Sequence, residues 1–96
     1  MESNIKKSIK MYKNRDYSTM ASEAKDGVLD LFVHDDEKPN RTAKIQISTH
    51  LLLMGKAYKD KRLLRMAVEA LMVDEKTSAI DILLRTSEIL EEEKFR

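Results

Sequence analysis

The sequence predicts an all-α domain of about five helices, arranged as two antiparallel helical hairpins closed by a C-terminal capping helix. Three observations predict it. Apolar residues recur at the i, i+4, i+7 spacing of a helix face along most of the 96 residues, with no sustained alternation of the kind a strand shows. Two glycines and one proline leave a single strong interruption, the polar run His34-Asp35-Asp36-Glu37-Lys38-Pro39-Asn40. Finally, the formal net charge of +1 is the remainder of four blocks: residues 1–15 carry +4, 16–40 carry −5, 41–66 carry +6 and 67–96 carry −4. Opposite charge on successive segments favours pairing of neighbouring helices.

The first hairpin is expected over about residues 3–33. Its first helix, about 3–13, places Ile5, Ile9 and Tyr12 on one face, and Asn14-Arg15-Asp16 turns the chain. Ser18 or Thr19 is the expected N-cap of the second helix, whose stripe is Met20, Ala21, Ala24, Val28, Leu31 and Phe32. A polar loop follows at 34–41, then a second hairpin at about 42–74. Asn40 or Thr42 caps its first helix, in which Ile47, Leu51, Met54 and Tyr58 share a face. Lys59-Asp60-Lys61 makes the turn. The helix beyond it, Leu63 to Val73, is apolar almost all round and is expected at the centre of the fold. The capping helix, about 78–93, starts at Thr77 or at Ser78, the latter spaced from Asp81 as in a capping box. Its Glu91-Glu92-Glu93-Lys94 end is expected to be solvated and frayed, because acids oppose the dipole at a helix C-terminus.

A shift of 46 residues aligns Lys10, Tyr12, Lys13, Met20, Ala21, Glu23 and Ala24 with Lys56, Tyr58, Lys59, Met66, Ala67, Glu69 and Ala70. Each copy reads as a basic helix ending in Lys-x-Tyr-Lys, a turn, and a helix opening with Met-Ala-x-Glu-Ala. In the second copy, Leu51, Met54, Gly55, Tyr58, Ala67 and Leu71 fall at the intervals of tetratricopeptide-like helical hairpin repeats, which the chain resembles mainly over residues 48–75. Asp74 stands where that family prefers a small residue and Ala79 where it prefers proline, and the first copy keeps only Tyr12 and Ala21. The resemblance implies a scaffold that grips a peptide or helix of a partner, not an enzyme.

Composition narrows the chemistry. Without cysteine there is no disulfide, thiolate nucleophile or thiolate zinc site, which suits a reducing compartment. No apolar leader follows the first residues, and runs such as Leu51–Met54 are far below the ~20 residues of a membrane span, so the expectation is a cytoplasmic chain. His34 and His50 lie outside any nucleophile or metalloprotease motif, and Gly55-Lys56 lacks the upstream glycine of a phosphate loop. No catalytic residue, cofactor or metal is expected. The His34–Glu37 cluster offers imidazole and carboxylate donors but not the alternating ligands of a calcium loop, and reads as solvated.

Two surfaces remain. The first is a groove where the third, fourth and fifth helices meet, with Leu52, Tyr58, Leu64, Met72 and Ile89 as anchors and Lys56, Lys59 and Arg62 at its rim. It fits a protein partner or a homo-oligomer. The second is the pair of basic strips, Lys6, Lys10, Lys13 and Lys56, Lys59, Arg62, Arg65, which can track phosphates of RNA or single-stranded nucleic acid, the two tyrosines serving as stacking surfaces. Among the methionines, Met20, Met54 and Met66 read as core, Met11 and Met72 as exposed contacts.

Overall fold

In the computed structural model, which describes residues 4–30 and 40–94, the chain forms five helices: α1 Asn4–Lys13, α2 Tyr17–Asp30, α3 Arg41–Tyr58, α4 Lys61–Leu71 and α5 Lys76–Lys94. The described residues contain no strand, and the fold is all-α as the periodicity predicts. Leu31, Phe32 and the His34–Glu37 cluster lie outside the described residues, as do the side chains of Ile5 and Val28.

Local chemistry sets the helix starts. Asn40 is the N-cap of α3, its side-chain oxygen accepting from the Thr42 and Ala43 amides at 2.9 and 3.4 Å. For α2 the acceptor is Asp16 Oδ1, bonded to the Thr19 amide at 3.4 Å, rather than Ser18 or Thr19. An aspartate one residue before the first helical turn outcompetes hydroxyls that already lie within it. In α5, likewise, Thr77 and Ser78 fall inside the first turn: Ser78 Oγ donates to the Glu75 carboxylate at 3.4 Å, and Asp81 instead pairs with Arg85.

Both turns reverse the chain in the same way. Arg15 and Lys59 adopt left-handed backbone (φ 58° and 55°), and the amides of Asp16 and Asp60 reach back to the carbonyls of Met11 and Gly55. These turns recur 44 residues apart, Asp16 to Asp60, whereas the sequence identities recur at 46. The Met20/Met66 and Ala24/Ala70 pairs are nevertheless all buried.

α3 is the centre of the fold, packing on α1, α2 and α4 and burying Ala43, Ile47, His50, Leu51, Met54 and Gly55. The expectation that α4 holds this place is overturned. α4 buries Leu63, Met66, Ala67 and Ala70 but leaves Val68, Leu71 and Met72 in solvent. It packs on α3 and α5, and its remaining face meets no other helix among the described residues, so its extra apolar side chains stay uncovered. α5 packs on both α2 and α4, closing the open side of the two hairpins. The core is completed by Met20, Ala24, Val73, Ala79, Ile82 and Ile89.

The C-terminal end of α5 departs from expectation in part: Glu91 and Glu92 are exposed as expected, but Glu93 is not. Its helix runs through Lys94, and the Glu93 side chain is only 5% exposed. Arg62, at the start of α4, supplies the cation that this end lacks: its guanidinium lies 2.6 Å from Glu92 and 4.0 Å from Glu93. An antiparallel neighbour thereby offsets carboxylates that would otherwise oppose the helix dipole.

Candidate interaction surface

α3 and α4 approach closely along a seam with a defined chemistry. Ser48 Oγ donates to the Ala67 carbonyl at 2.7 Å, and the backbone of Gly55 lies directly against Leu64. These contacts run in opposite directions along the two chains, so the pair is antiparallel. They also mark which side of each helix faces the other. One helical step outward from Ser48 and Gly55 lie Ile45 and Leu52; one step outward from Leu64 and Ala67 lie Val68 and Leu71. All four are exposed, Val68 at 64%.

Of the five anchors expected from sequence, three belong to this hairpin's outer side: Leu52 is exposed, Leu64 half-buried and Met72 76% exposed. Two do not. Ile89 is 5% exposed and part of the core, because α5 turns it inward against the bundle. Tyr58 lies on the opposite side of α3, half-buried in a chain of rings: Tyr17 stands edge-on to it at 5.6 Å, and Tyr12 lies 6.4 Å from Tyr17. Burial and then the Glu93 charge hold the Tyr58 hydroxyl above the usual tyrosine range. Arg62 is not a rim residue either, being engaged with Asp60 at 2.8 Å and with Glu92. Hydrophobic character alone could not exclude Ile89, and it missed Ile45 on α3 as well as Val68 and Leu71, whose signal was an apolar excess in α4 beyond one face.

The tyrosine chain also brings together the ends of α1 and α3, so the two Lys-x-Tyr-Lys segments meet at one end of the molecule. Lys6, Lys10, Lys13, Lys56, Lys59 and Arg65 are exposed. The rings themselves contact one another rather than standing free as stacking platforms.

A serine and a histidine meet elsewhere. Ser8 Oγ of α1 lies 3.1 Å from Nδ1 and 3.3 Å from Nε2 of His50 on α3. Both side chains are buried, at 0% and 1% exposure, so no substrate reaches them; the contact ties α1 to α3. Burial lowers the His50 pKa, against a smaller upward pull from Glu23. The unfolded chain therefore takes up this proton first. The contribution of His50 to stability is complete above the unfolded value of ~6.5 and is lost as pH falls below it. Urea midpoints are expected to drop between pH 7.5 and 5.5, and His50→Gln to flatten that slope; an equal slope in the variant would contradict this.

Further polar clefts line α5. One of about 460 Å³ lies between α2 and α5, bordered by Ser18, Ser22, Lys25, Tyr58, Ser87 and Glu91. Another, of about 330 Å³, lies between α4 and α5, where Arg85 pairs with Glu69 and Asp81. Arg62 pairs with Glu92 at its other end, and Arg65 and Glu88 also line it. Among the described residues no three His, Asp or Glu side chains gather as metal ligands, and no helix is long and apolar enough to cross a membrane. In comparisons with known proteins no family model matches the chain, and neither a curated protein nor a solved structure does.

Proposed function

We propose that this chain is a non-enzymatic helical interaction module, an adaptor, chaperone or stoichiometric inhibitor, that works in the cytoplasm by binding a partner protein or a second copy of itself. One observation carries the reading: Ile45, Leu52, Val68, Leu71 and Met72 stand in solvent along a single helical hairpin. Exposed apolar side chains scattered singly are ordinary, whereas a contiguous set marks a surface that is covered in use. The resemblance of residues 48–75 to tetratricopeptide-like hairpins supports the same reading. Leu52→Ser with Leu71→Ser removes two such groups without touching the core. Wild-type chain immobilised in a native lysate is expected to retain a partner, or to self-associate in sedimentation, and the double variant to do neither while keeping its circular dichroism. Equal retention and equal sedimentation by both would sink the proposal.

A second reading, a regulator binding RNA or single-stranded nucleic acid, is favoured by the meeting of the two Lys-x-Tyr-Lys segments at one end. Contacts to phosphates weaken steeply with salt, whereas burial of apolar anchors responds little. Under this reading Lys10→Glu with Lys56→Glu abolishes RNA affinity; an unchanged affinity removes it.

A further inference from the structure

One buried titratable group takes no part in the interaction surface. His50 of α3 is 1% exposed and lies 3.1 and 3.3 Å, through its two ring nitrogens, from the hydroxyl of Ser8 of α1, itself 0% exposed. Among the described residues Ser8 is the only fully buried side chain of α1, and the core takes no apolar residue from that helix. Met11 and Tyr12 are half-buried, and Ile9 is exposed. The hold of α1 on the rest of the fold therefore centres on a polar contact that a proton can change.

A neutral imidazole offers one donor and one acceptor, and the Ser8 hydroxyl can satisfy either. A second proton turns both nitrogens into donors and buries a charge, while the hydroxyl oxygen accepts one hydrogen bond and carries no charge to offset it. The neighbouring helices supply little compensation. Every charged side chain of α1 is a lysine, and Lys6, Lys7, Lys10 and Lys13 are all exposed. From α2 the charge acting on His50 is the exposed Glu23, whose upward pull on its pKa is smaller than the lowering by burial. α4 meets α3 along Ser48 and Gly55, roughly on the opposite side of the helix from His50. An imidazolium is relieved here by exposing it, and α1 is the cover that can move.

α1 joins the other helices through Asn14-Arg15-Asp16, where Arg15 takes the left-handed conformation. Asp16 caps α2 through the Thr19 amide, so α2 keeps its start without α1. The packing of α3 on α2 and α4, and of α5 on α2 and α4, does not pass through α1. We propose that the Ser8–His50 contact is a pH-operated latch: protonation of His50 releases α1, pivoting at residues 14–16, while α2 to α5 stay packed. Ten residues are too few for a stable isolated helix, so the released α1 unwinds. The released form takes up the proton at the ordinary imidazole value of ~6.5 and the docked form only at lower pH, so the ratio of released to docked chains rises by up to about tenfold for each pH unit below that value. This device is independent of the interaction-module reading.

Amide hydrogen exchange of the full chain, corrected for the intrinsic pH dependence of exchange, reads the release helix by helix. The α1 amides are expected to be at least tenfold less protected than the buried amides of α3 and α4, and their protection to fall at least tenfold between pH 7 and pH 5, where α3 and α4 stay protected. His50→Gln, which cannot take up the proton, is expected to remove this pH dependence. Ser8→Ala, a substitution that suits a helix, is expected to lower α1 protection several-fold already at pH 7. Equal protection of α1, α3 and α4 at each pH would mean that the chain opens only as a whole, and would overturn the proposal. So would a pH dependence unchanged in His50→Gln, or α1 protection unchanged by Ser8→Ala. Should His50→Gln not fold, the wild-type chain decides: loss of α1 protection along the titration of the His50 ring supports the latch, and a ring that takes up its proton with α1 still fully protected overturns it.

Discussion

Replacing Gly55 by valine is expected to lower the thermal midpoint by about 10–20 °C, the cost of forcing α3 and α4 apart. A Cβ built at Gly55 falls 2.7 Å from Leu64 Cδ2, 2.8 Å from its Cγ and 3.0 Å from its backbone nitrogen. The side chain can rotate away, but the backbone cannot. Overpacking a filled site costs about 1–3 kcal/mol, and the upper end applies where a main-chain atom must move. Domains of this size lose ~4–8 °C per kcal/mol, which sets the expected range. Gly27 provides the control. There an added Cβ meets only Ile47, at 3.0 Å from Cγ1, and alanine brings a helix-propensity gain of up to ~1 kcal/mol, so Gly27→Ala is expected to shift the midpoint much less. Thermal melts followed by circular dichroism decide the matter. A Gly55→Val midpoint within a few degrees of wild type would mean that the hairpin is not held by this contact.

The second large effect is expected at Asp60, where alanine should cost about 2 kcal/mol at neutral pH. Its carboxylate does two things at once. Oδ1 accepts from the Arg62 amide at 2.8 Å and so caps α4, while Oδ2 holds the Arg62 guanidinium at 2.8 Å in the position from which it meets Glu92. Hydrogen bonding to Arg62 keeps the Asp60 carboxyl well below the usual carboxylate range, against an opposing effect of burial. A depressed folded value means that the unfolded chain binds the proton first. The Asp60 contribution is therefore present above the unfolded value of ~3.9 and is lost as pH falls below it. The stability difference between wild type and Asp60→Ala should be constant from pH 7 to about 5 and shrink towards pH 3. Asp60→Asn, which keeps an accepting oxygen, should recover the capping part alone, about 1 kcal/mol. A difference that persists undiminished at pH 3 would show that the carboxylate charge is not what α4 and α5 share.

The same residues show how far the sequence could be read. Lys59-Asp60-Lys61 was legible as a turn because charged, short segments between two apolar faces are rarely helical. That Lys59 takes the left-handed conformation, a place where glycine is the usual choice, was not legible. Glu91–Glu93 read as a solvated tail because three acids in a row at a helix C-terminus oppose its dipole. The cation that buries Glu93 comes from a different helix, and local pattern carries no information about it. The Ser8–His50 contact was invisible for the same reason: each residue is unremarked on its own helix. α4 was misplaced because a helix apolar on most sides is most often central, and nothing in its own sequence says that a neighbour is missing.

For the candidate site, Leu52, Leu64 and Met72 were found from hydrophobicity, together with the basic residues Lys56, Lys59 and Arg65. Ile89 was assigned to the surface by the same criterion and lies in the core, while Arg62, named for its charge, is exposed but held in an ion-pair cluster.

The sequence by itself determined that the described residues are helical, how many helices they form, roughly where these turn, and that Ile47, Leu51 and Met54 of α3 face inward. These properties depend on residues within a turn or two of one another, through capping, periodicity and the lack of proline within the helices. Only the tertiary structure decided that α3 rather than α4 is enclosed, that Arg62 pairs with the end of α5, and that Ile45, Leu52, Val68 and Leu71 face outward together. Those outcomes depend on which helices become neighbours, and a helix face records its need for a partner without recording whether it has one.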